Sequence, residues 1–278
     1  MNNPAKEEEP LSLKLATLAA RLTPARVFSP RHGASLSTAD CLALRADHAV
    51  ARDAVFQETK PEKDPSWIAT FPKAVREKDK EGFVHPPLLV SSQASTQTEY
   101  LLRPDLGRKV HPMDRERILA ECPRSPQMQI LLADGLSALA LQKQGFPLYT
   151  ALVPMALSMG WQVGRPIFIR RARVGIMNDI GSLLEPLIVV LLLGERPGLS
   201  TAESLSAYLA YRPKPGDTDA HRNLIASIHN RGVGIAWAAR RIVNLAETLK
   251  NTSSSGVGIR EEMPKETLLG KPNDFHLA

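Results

Sequence analysis

The spacing of apolar residues changes character along the chain, from helical near the N-terminus to continuous runs in the middle. Leu11, Leu15, Leu18 and Leu22 recur at helical spacing with Lys14 and Arg21 on another face, which predicts a short amphipathic helix. Thr23-Pro24-Ala25-Arg26 should end it, and Gly33 marks a turn. Residues 37–57 are rich in Ala and Leu and lack Gly and Pro. Ser37 or Thr38 can cap a helix there, and Asp40 falls in the first turn, where the helix dipole favours an acid.

Residues 58–87 are dominated by Lys, Glu, Asp and Pro, a composition that resists a packed core and predicts a linker or an extended arm, with Trp67 and Phe71 as local anchors. Beyond Pro87, short apolar runs alternate with helical stretches. Strands are expected at 88–90, 128–133, 166–170 and 187–193, and a helix at 178–185. The last strand is wholly apolar, as suits a parallel strand buried on both faces. Residues 204–211 read as an edge strand, 219–228 as a helix, and 234–250 as an amphipathic helix with Ile235, Ala239, Ile242 and Leu249 along one side. The predicted fold class is α/β, a Rossmann-like parallel sheet flanked by helices with an N-terminal helical extension. The expected organisation is a helical region and arm over 1–87, the α/β domain over 88–259, and a tail over 260–278.

Hydrophobic residues are 43% of the 278, enough to fill a core. The formal charge of +6 invites a nucleic-acid reading, but the basic residues are dispersed among acids. The densest clusters, Arg170-Arg171-Ala172-Arg173 and Arg240-Arg241, are too short for a phosphate track. Trp67, Trp161 and Trp237 lie too far apart for a ladder that stacks bases. A nucleic-acid partner is therefore not expected. Cys41 and Cys122 lack a partner motif, which favours a reducing compartment. The N-terminus has no signal-peptide pattern, and the longest apolar run, 186–193, is too short to span a bilayer. A soluble intracellular protein is expected.

Asp134-Gly135-Leu136-Ser137 follows a predicted strand and opens a helix, at the sheet edge where ligands bind in such folds. Helix capping is the favoured role for Asp134 and Ser137. Gly194-Glu195-Arg196-Pro197-Gly198-Leu199 follows the most apolar strand. Two readings stand equal there: a ligand-contacting loop whose glycines admit close approach, or a tight turn with a Glu–Arg pair facing solvent. Gly232-Val233-Gly234 and Gly256-Val257-Gly258 lack the strand and the third glycine of a dinucleotide loop and read as turns or helix boundaries. The seven histidines show no metal spacing, and no nucleophile–base set can be placed.

Several phrases, in order, carry a family resemblance. They are Thr23-Pro24-Ala25-Arg26-Val27, Asp47-His48-Ala49 with Ala51-Arg52-Asp53-Ala54-Val55, and Arg103-Pro104-Asp105-Leu106-Gly107-Arg108. Ala133-Asp134-Gly135-Leu136-Ser137-Ala138, the 194–199 loop, Glu203-Ser204-Leu205-Ser206 and Ser227-Ile228-His229 complete the set. Together they resemble the small subunit, or light chain, of adenosylcobalamin-dependent ethanolamine ammonia-lyase from about residue 23 to 259.

The resemblance implies a non-catalytic, Rossmann-like subunit that packs on a large catalytic subunit built as a TIM barrel, in a hetero-oligomer. Adenosylcobalamin would lie between the two. Homolysis of its cobalt–carbon bond gives the radical that takes hydrogen from ethanolamine, leading to acetaldehyde and ammonia. By the same resemblance Val174, Glu195 and Leu224 are the cofactor-binding positions, with no catalytic and no metal-ligating residue on this chain. Leu224 departs from the family, which commonly has cysteine there; a backbone contact would survive the change and a thiol contact would not. Asp219-Ala220-His221 shares the Asp-x-His opening of cobalamin proteins whose histidine replaces the lower base. Leu224 stands where that motif has glycine, so no ligand is assigned. The family precedent places the assembly in the bacterial cytoplasm, open or within a microcompartment. The competing readings are a freestanding α/β enzyme using Asp134 and Glu195, which the missing nucleophile–base set disfavours, and the nucleic-acid module disfavoured above.

Overall fold

Ser37 starts the first long helix as its sequence suggests: its hydroxyl accepts the Asp40 N–H at 3.1 Å. In the computed structural model, residues 11–22, 31–32, 35–57 and 87–263 are described. Helix α1 (Leu11–Leu22) precedes a two-residue antiparallel pair, β1 (Arg31–His32) with β2 (Ser35–Leu36), and then α2 (Thr38–Phe56). Ala54 is buried near the end of α2, and Gln97 donates its side-chain N–H to the Val55 carbonyl at 2.6 Å. The break at 23–26, the turn at Gly33, the arm up to residue 86 and the tail beyond 263 lie outside the described residues.

A six-stranded sheet follows, built from β3 (Leu88–Ser91), β4 (Met128–Ala133), β5 (Ile167–Arg170), β6 (Ile188–Gly194), β7 (Leu205–Tyr211) and β8 (Asn223–Ile228). The spatial order is β3-β5-β4-β6-β7-β8. The first four strands are parallel, and β7 and β8 add on antiparallel, so the sheet is mixed rather than purely parallel. The helices are α3 (Gln97–Leu102), α4 (Pro112–Glu121), α5 (Phe146–Ser158), α6 (Ile176–Leu184) and α7 (Ile235–Thr252).

Strand parity explains the continuous apolar runs. Met128, Ile130, Leu132, Ile188, Val190 and Leu192 face α5 and α7 in one core. Their neighbours Leu131, Ala133, Val189, Leu191 and Leu193 face the other way, into a second core with Ile118 of α4 and Ile180 of α6. β4 and β6 are covered on both faces, so both of their parity classes are apolar save for buried Gln129, whose side-chain amide donates to the Arg165 carbonyl at 2.7 Å.

Two sequence expectations are corrected. Residues 204–211 are an interior strand, flanked by β6 and β8. Residues 219–228 are not a helix: Asp219–His221 makes one 3-10 turn and Asn223–Ile228 is the edge strand. Ile225 points into the core while Leu224 and Ala226 stay exposed, an alternation of period two. Ser227, at a φ of 58°, breaks the ladder so that Ile228 returns to the same core as Ile225.

Candidate functional site

β4 and β5 are adjacent parallel strands, yet the helices that follow them go to opposite faces. The chain leaves β4 toward α5 in one core and leaves β5 toward α6 in the other. The diverging loops open a crevice beyond the carboxyl ends of the strands, the place where open α/β sheets bind ligands.

Asp134 ties that crevice together. Its carboxylate accepts the backbone N–H of Arg171 at 2.6 Å, so the loop after β4 holds the loop after β5. Arg171 sits in the left-handed region with φ 53°, a conformation that needs outside support in a residue other than glycine. The Arg171 Nε donates to the Ala94 carbonyl at 2.7 Å, and the Ser92 hydroxyl donates to the Arg171 carbonyl at 2.8 Å. Asp134 is only 7% exposed, and burial pushes its carboxyl up to about 7, opposed by the Arg171 N–H and charge. The capping role expected for both Asp134 and Ser137 falls to Ser137, whose hydroxyl accepts the Ala140 N–H at 3.0 Å.

The loop after β6 meets the loop after β4 through two glycines. Gly135 has φ 56°, and a Cβ there would collide with the Gly194 carbonyl oxygen. A Cβ at Gly194 would collide with the carbonyls of Asp134 and Ser137. The close approach fixes where the next residue, Glu195, emerges.

Glu195 is half-buried, and its carboxylate turns toward serines rather than toward Arg196. The Ser204 hydroxyl donates to Oε2 at 2.6 Å, the Ser206 hydroxyl donates to Oε1, and the Ser227 N–H reaches Oε1 at 3.3 Å. A carboxylate has about four acceptor sites, which leaves one on Oε2 for a ligand donor. The solvent-facing Glu–Arg pair of the sequence reading is therefore not what forms.

Val174, Glu195 and Leu224 come from three separate stretches, and the structure brings all three to one open depression of about 380 Å³. Tyr100, Arg173, Arg196 and Tyr208 are among the other residues that line it. Val174 is carried there by the turn that Asp134 clamps. Arg173 lies 4.2 Å over the Tyr100 ring and donates to the Tyr100 carbonyl at 3.1 Å, while the Tyr100 hydroxyl donates to the Ala172 carbonyl at 3.0 Å. Leu224 is 48% exposed, on the face of β8 opposite the core.

Sequence reasoning missed the serines that hold Glu195 and missed Tyr100. Ser206 and Tyr208 carried a usable signal, because they alternate with the core residues Leu205, Ala207 and Leu209. Tyr100 lies far away in sequence and carried none. Among the described residues, no three His, Cys, Asp or Glu side chains group to hold a metal ion. No helix among them is long and apolar enough to cross a membrane.

Residues 14–260 match the family model for the ethanolamine ammonia-lyase light chain. An ethanolamine ammonia-lyase small subunit from Clostridium acetobutylicum is 37% identical over 255 residues, covering 92% of this chain and 96% of its own length. The protein of the same name from Azotobacter vinelandii is 38% identical over 264 residues, with 93% of each chain covered. That from Clostridium perfringens is 35% identical over 260 residues, 94% of this chain and 80% of its own.

Proposed function

From the premise that the chain belongs to the ethanolamine ammonia-lyase light chain family, we propose that it forms one wall of an adenosylcobalamin site completed by a large catalytic subunit. A single observation carries this reading: Val174, Glu195 and Leu224 gather on one depression at the carboxyl ends of the parallel strands. The complex would convert ethanolamine to acetaldehyde and ammonia in the bacterial cytoplasm, free or within a microcompartment.

The residues fit a corrinoid. The depression is open and far smaller than a cobalamin, so it can wall one side and must leave the rest to a partner. The rim of the corrin carries amide N–H donors, and Glu195 keeps an acceptor site on Oε2, held in place by Ser204 and Ser206. A hydrogen bond from such a donor to a carboxylate is stronger than one between neutral groups. Exposed Leu224 and half-buried Val174 and Tyr208 offer apolar surface to the macrocycle.

When bound, the cofactor supplies the radical chemistry, and the protein supplies orientation and exclusion. On this chain Asp134 and Arg171 fix the Val174 turn, the Gly135–Gly194 contact fixes the origin of Glu195, and the serines fix its carboxylate. Asp134 and Glu195 are thus both engaged in holding the wall, which leaves a freestanding acid–base enzyme without its pair.

The test is reconstitution. The chain alone, the large subunit alone and the two together are assayed for ethanolamine deamination with adenosylcobalamin. Activity should require both chains and the cofactor; full activity from the large subunit alone contradicts the proposal.

A further inference from the structure

Glu195 and Ser204 face each other at the open end of the β6–β7 pair, just beyond its last partners, Gly194 and Leu205. The Glu195 N–H donates to the Ser204 carbonyl at 3.0 Å, and the Ser204 hydroxyl returns to Glu195 Oε2 at 2.6 Å. The two serines that hold this carboxylate are fixed differently. Ser206 lies within the ladder of β7, opposite Leu193. Ser204 lies outside it, at the end of the 196–203 loop. A serine hydroxyl stands one torsion from the backbone, so its aim follows the backbone at 204.

Two side chains from the helical stretch after β4 fasten that backbone. Fully buried Ser137 donates its hydroxyl to the Ala202 carbonyl at 2.6 Å. The Lys143 Nζ lies 2.6 Å from the Glu203 carboxylate. Ala202 and Glu203 are the two residues immediately before Ser204.

Lys143 reaches Glu203 from an unusual piece of helix. Leu141–Gly145 is a π-turn, in which the Phe146 N–H donates to the Leu141 carbonyl five residues back. A π-turn holds one residue more than an α-helical turn, and such turns recur at functional sites. Its backbone packs closely against the strand that carries the serines. A Cβ at Gly145 would collide with the Leu141 side chain and stand 3.7 Å from Cδ1 of Leu205, the buried residue between Ser204 and Ser206. The π-turn thus meets the serine segment twice, through Leu205 in the core and through Lys143 at the surface.

We propose that the π-turn positions the Glu195 carboxylate, with Lys143 as the positioning residue. Lys143 holds Glu203, Glu203 fixes the backbone at Ser204, and Ser204 aims Oε2. The inference rests on the cofactor reading above, in which Glu195 belongs to the wall. Neither Lys143 nor Glu203 lines the depression, so both act through other residues. Lys143 is 56% exposed, and a pair so open to solvent contributes little to folding. Its effect on aim can therefore be read separately from stability.

The experiment measures the adenosylcobalamin Kd by equilibrium dialysis on the complex of the full chain with its large subunit, and the urea midpoint of the free chain. Lys143→Met keeps most of the stem and removes the charge. It should raise the Kd about threefold and leave the urea midpoint near the parent value. Lys143→Arg should keep the parent Kd. Lys143→Glu should raise the Kd further by driving Glu203 away, and adding Glu203→Lys should bring it back toward the parent. The deciding comparison is made in the Glu195→Ala complex, where Lys143→Met should change the Kd no further. A threefold rise that persists in that background would show Lys143 acting elsewhere, for instance on the large subunit, and would overturn the proposal. So would a Kd unchanged in both the Met and Glu variants, or a rise that follows a lowered urea midpoint and resists the charge swap; each leaves the Glu195 wall standing. If Glu195→Ala alone leaves the Kd unchanged, the cofactor reading falls and this inference falls with it.

Discussion

The carboxylate of Asp134 accepts the backbone N–H of Arg171 at 2.6 Å, which joins the loops after two adjacent parallel strands where their following helices part company. This contact has a pH signature. Burial pushes the Asp134 carboxyl up to about 7 from an ordinary value of 3.8. Between those two values the unfolded chain releases its proton while the folded chain keeps it. Stability therefore falls as pH rises through that window and levels off above it. Asp134→Asn keeps an acceptor for the Arg171 N–H and removes the titration. In urea unfolding, its stability relative to the unsubstituted chain should improve by about 2 kcal/mol between pH 5 and pH 8. Asp134→Ala removes both the acceptor and the titration: it should lose about 1–3 kcal/mol relative to the parent at pH 5, and its stability relative to the parent should improve by the same roughly 2 kcal/mol on going to pH 8. A flat difference between the Asn variant and the parent across this range would show that Asp134 does not titrate there.

The Gly135–Gly194 contact gives a prediction independent of any ligand. Gly194→Ala would push a methyl group into the carbonyls of Asp134 and Ser137, both of them backbone atoms that cannot swing aside. It should destabilise the fold by about 1–3 kcal/mol, read as a lower midpoint in urea. Gly198→Ala, whose Cβ would meet only the Thr201 carbonyl at 3.9 Å, is the control and should change little.

Leu224 separates stability from binding. It is 48% exposed on the outer face of the edge strand, so Leu224→Asp should shift folding stability by no more than about 0.5 kcal/mol. If it lines the cofactor wall, the same change should weaken corrinoid binding to the complex several-fold. Unchanged binding, measured by equilibrium dialysis, would remove Leu224 from the wall.

The two thiols should differ sharply toward a thiol reagent such as a disulfide dye. Cys41 is exposed on α2, while Cys122 is buried and its thiol is pushed up to about 11 by burial. Little of Cys122 is the reactive thiolate at neutral pH. The free chain should label once quickly, at Cys41, and a second time only on unfolding. Fast labelling in a Cys41→Ser variant would contradict the burial of Cys122.

Much of the α/β core was legible because its strands are apolar on both faces, and the run at 188–194 admits no other use. The antiparallel edge was harder. Leu224 is an apolar residue pointing to solvent, so 219–228 imitated a helix until β7 supplied the partner for an alternating strand. Glu195 could be placed at a strand end from sequence, but not the direction of its carboxylate. That direction depends on Ser204, Ser206 and Ser227, of which the last comes from a strand misread as a helix. Asp134 was read as a cap because the partner it holds, the Arg171 N–H, is a long-range backbone group with no sequence signature.

The direct measurement of the central claim is the adenosylcobalamin affinity of the complex carrying Glu195→Ala. The carboxylate is held by its serines with an acceptor site left open, and loss of a charged hydrogen-bond partner typically costs about 1.5–3 kcal/mol. The cofactor Kd should therefore rise about tenfold or more, while the KM for ethanolamine at saturating cofactor stays near that of the parent complex. An unchanged cofactor Kd in a correctly assembled complex would contradict the placement of the cofactor against this wall.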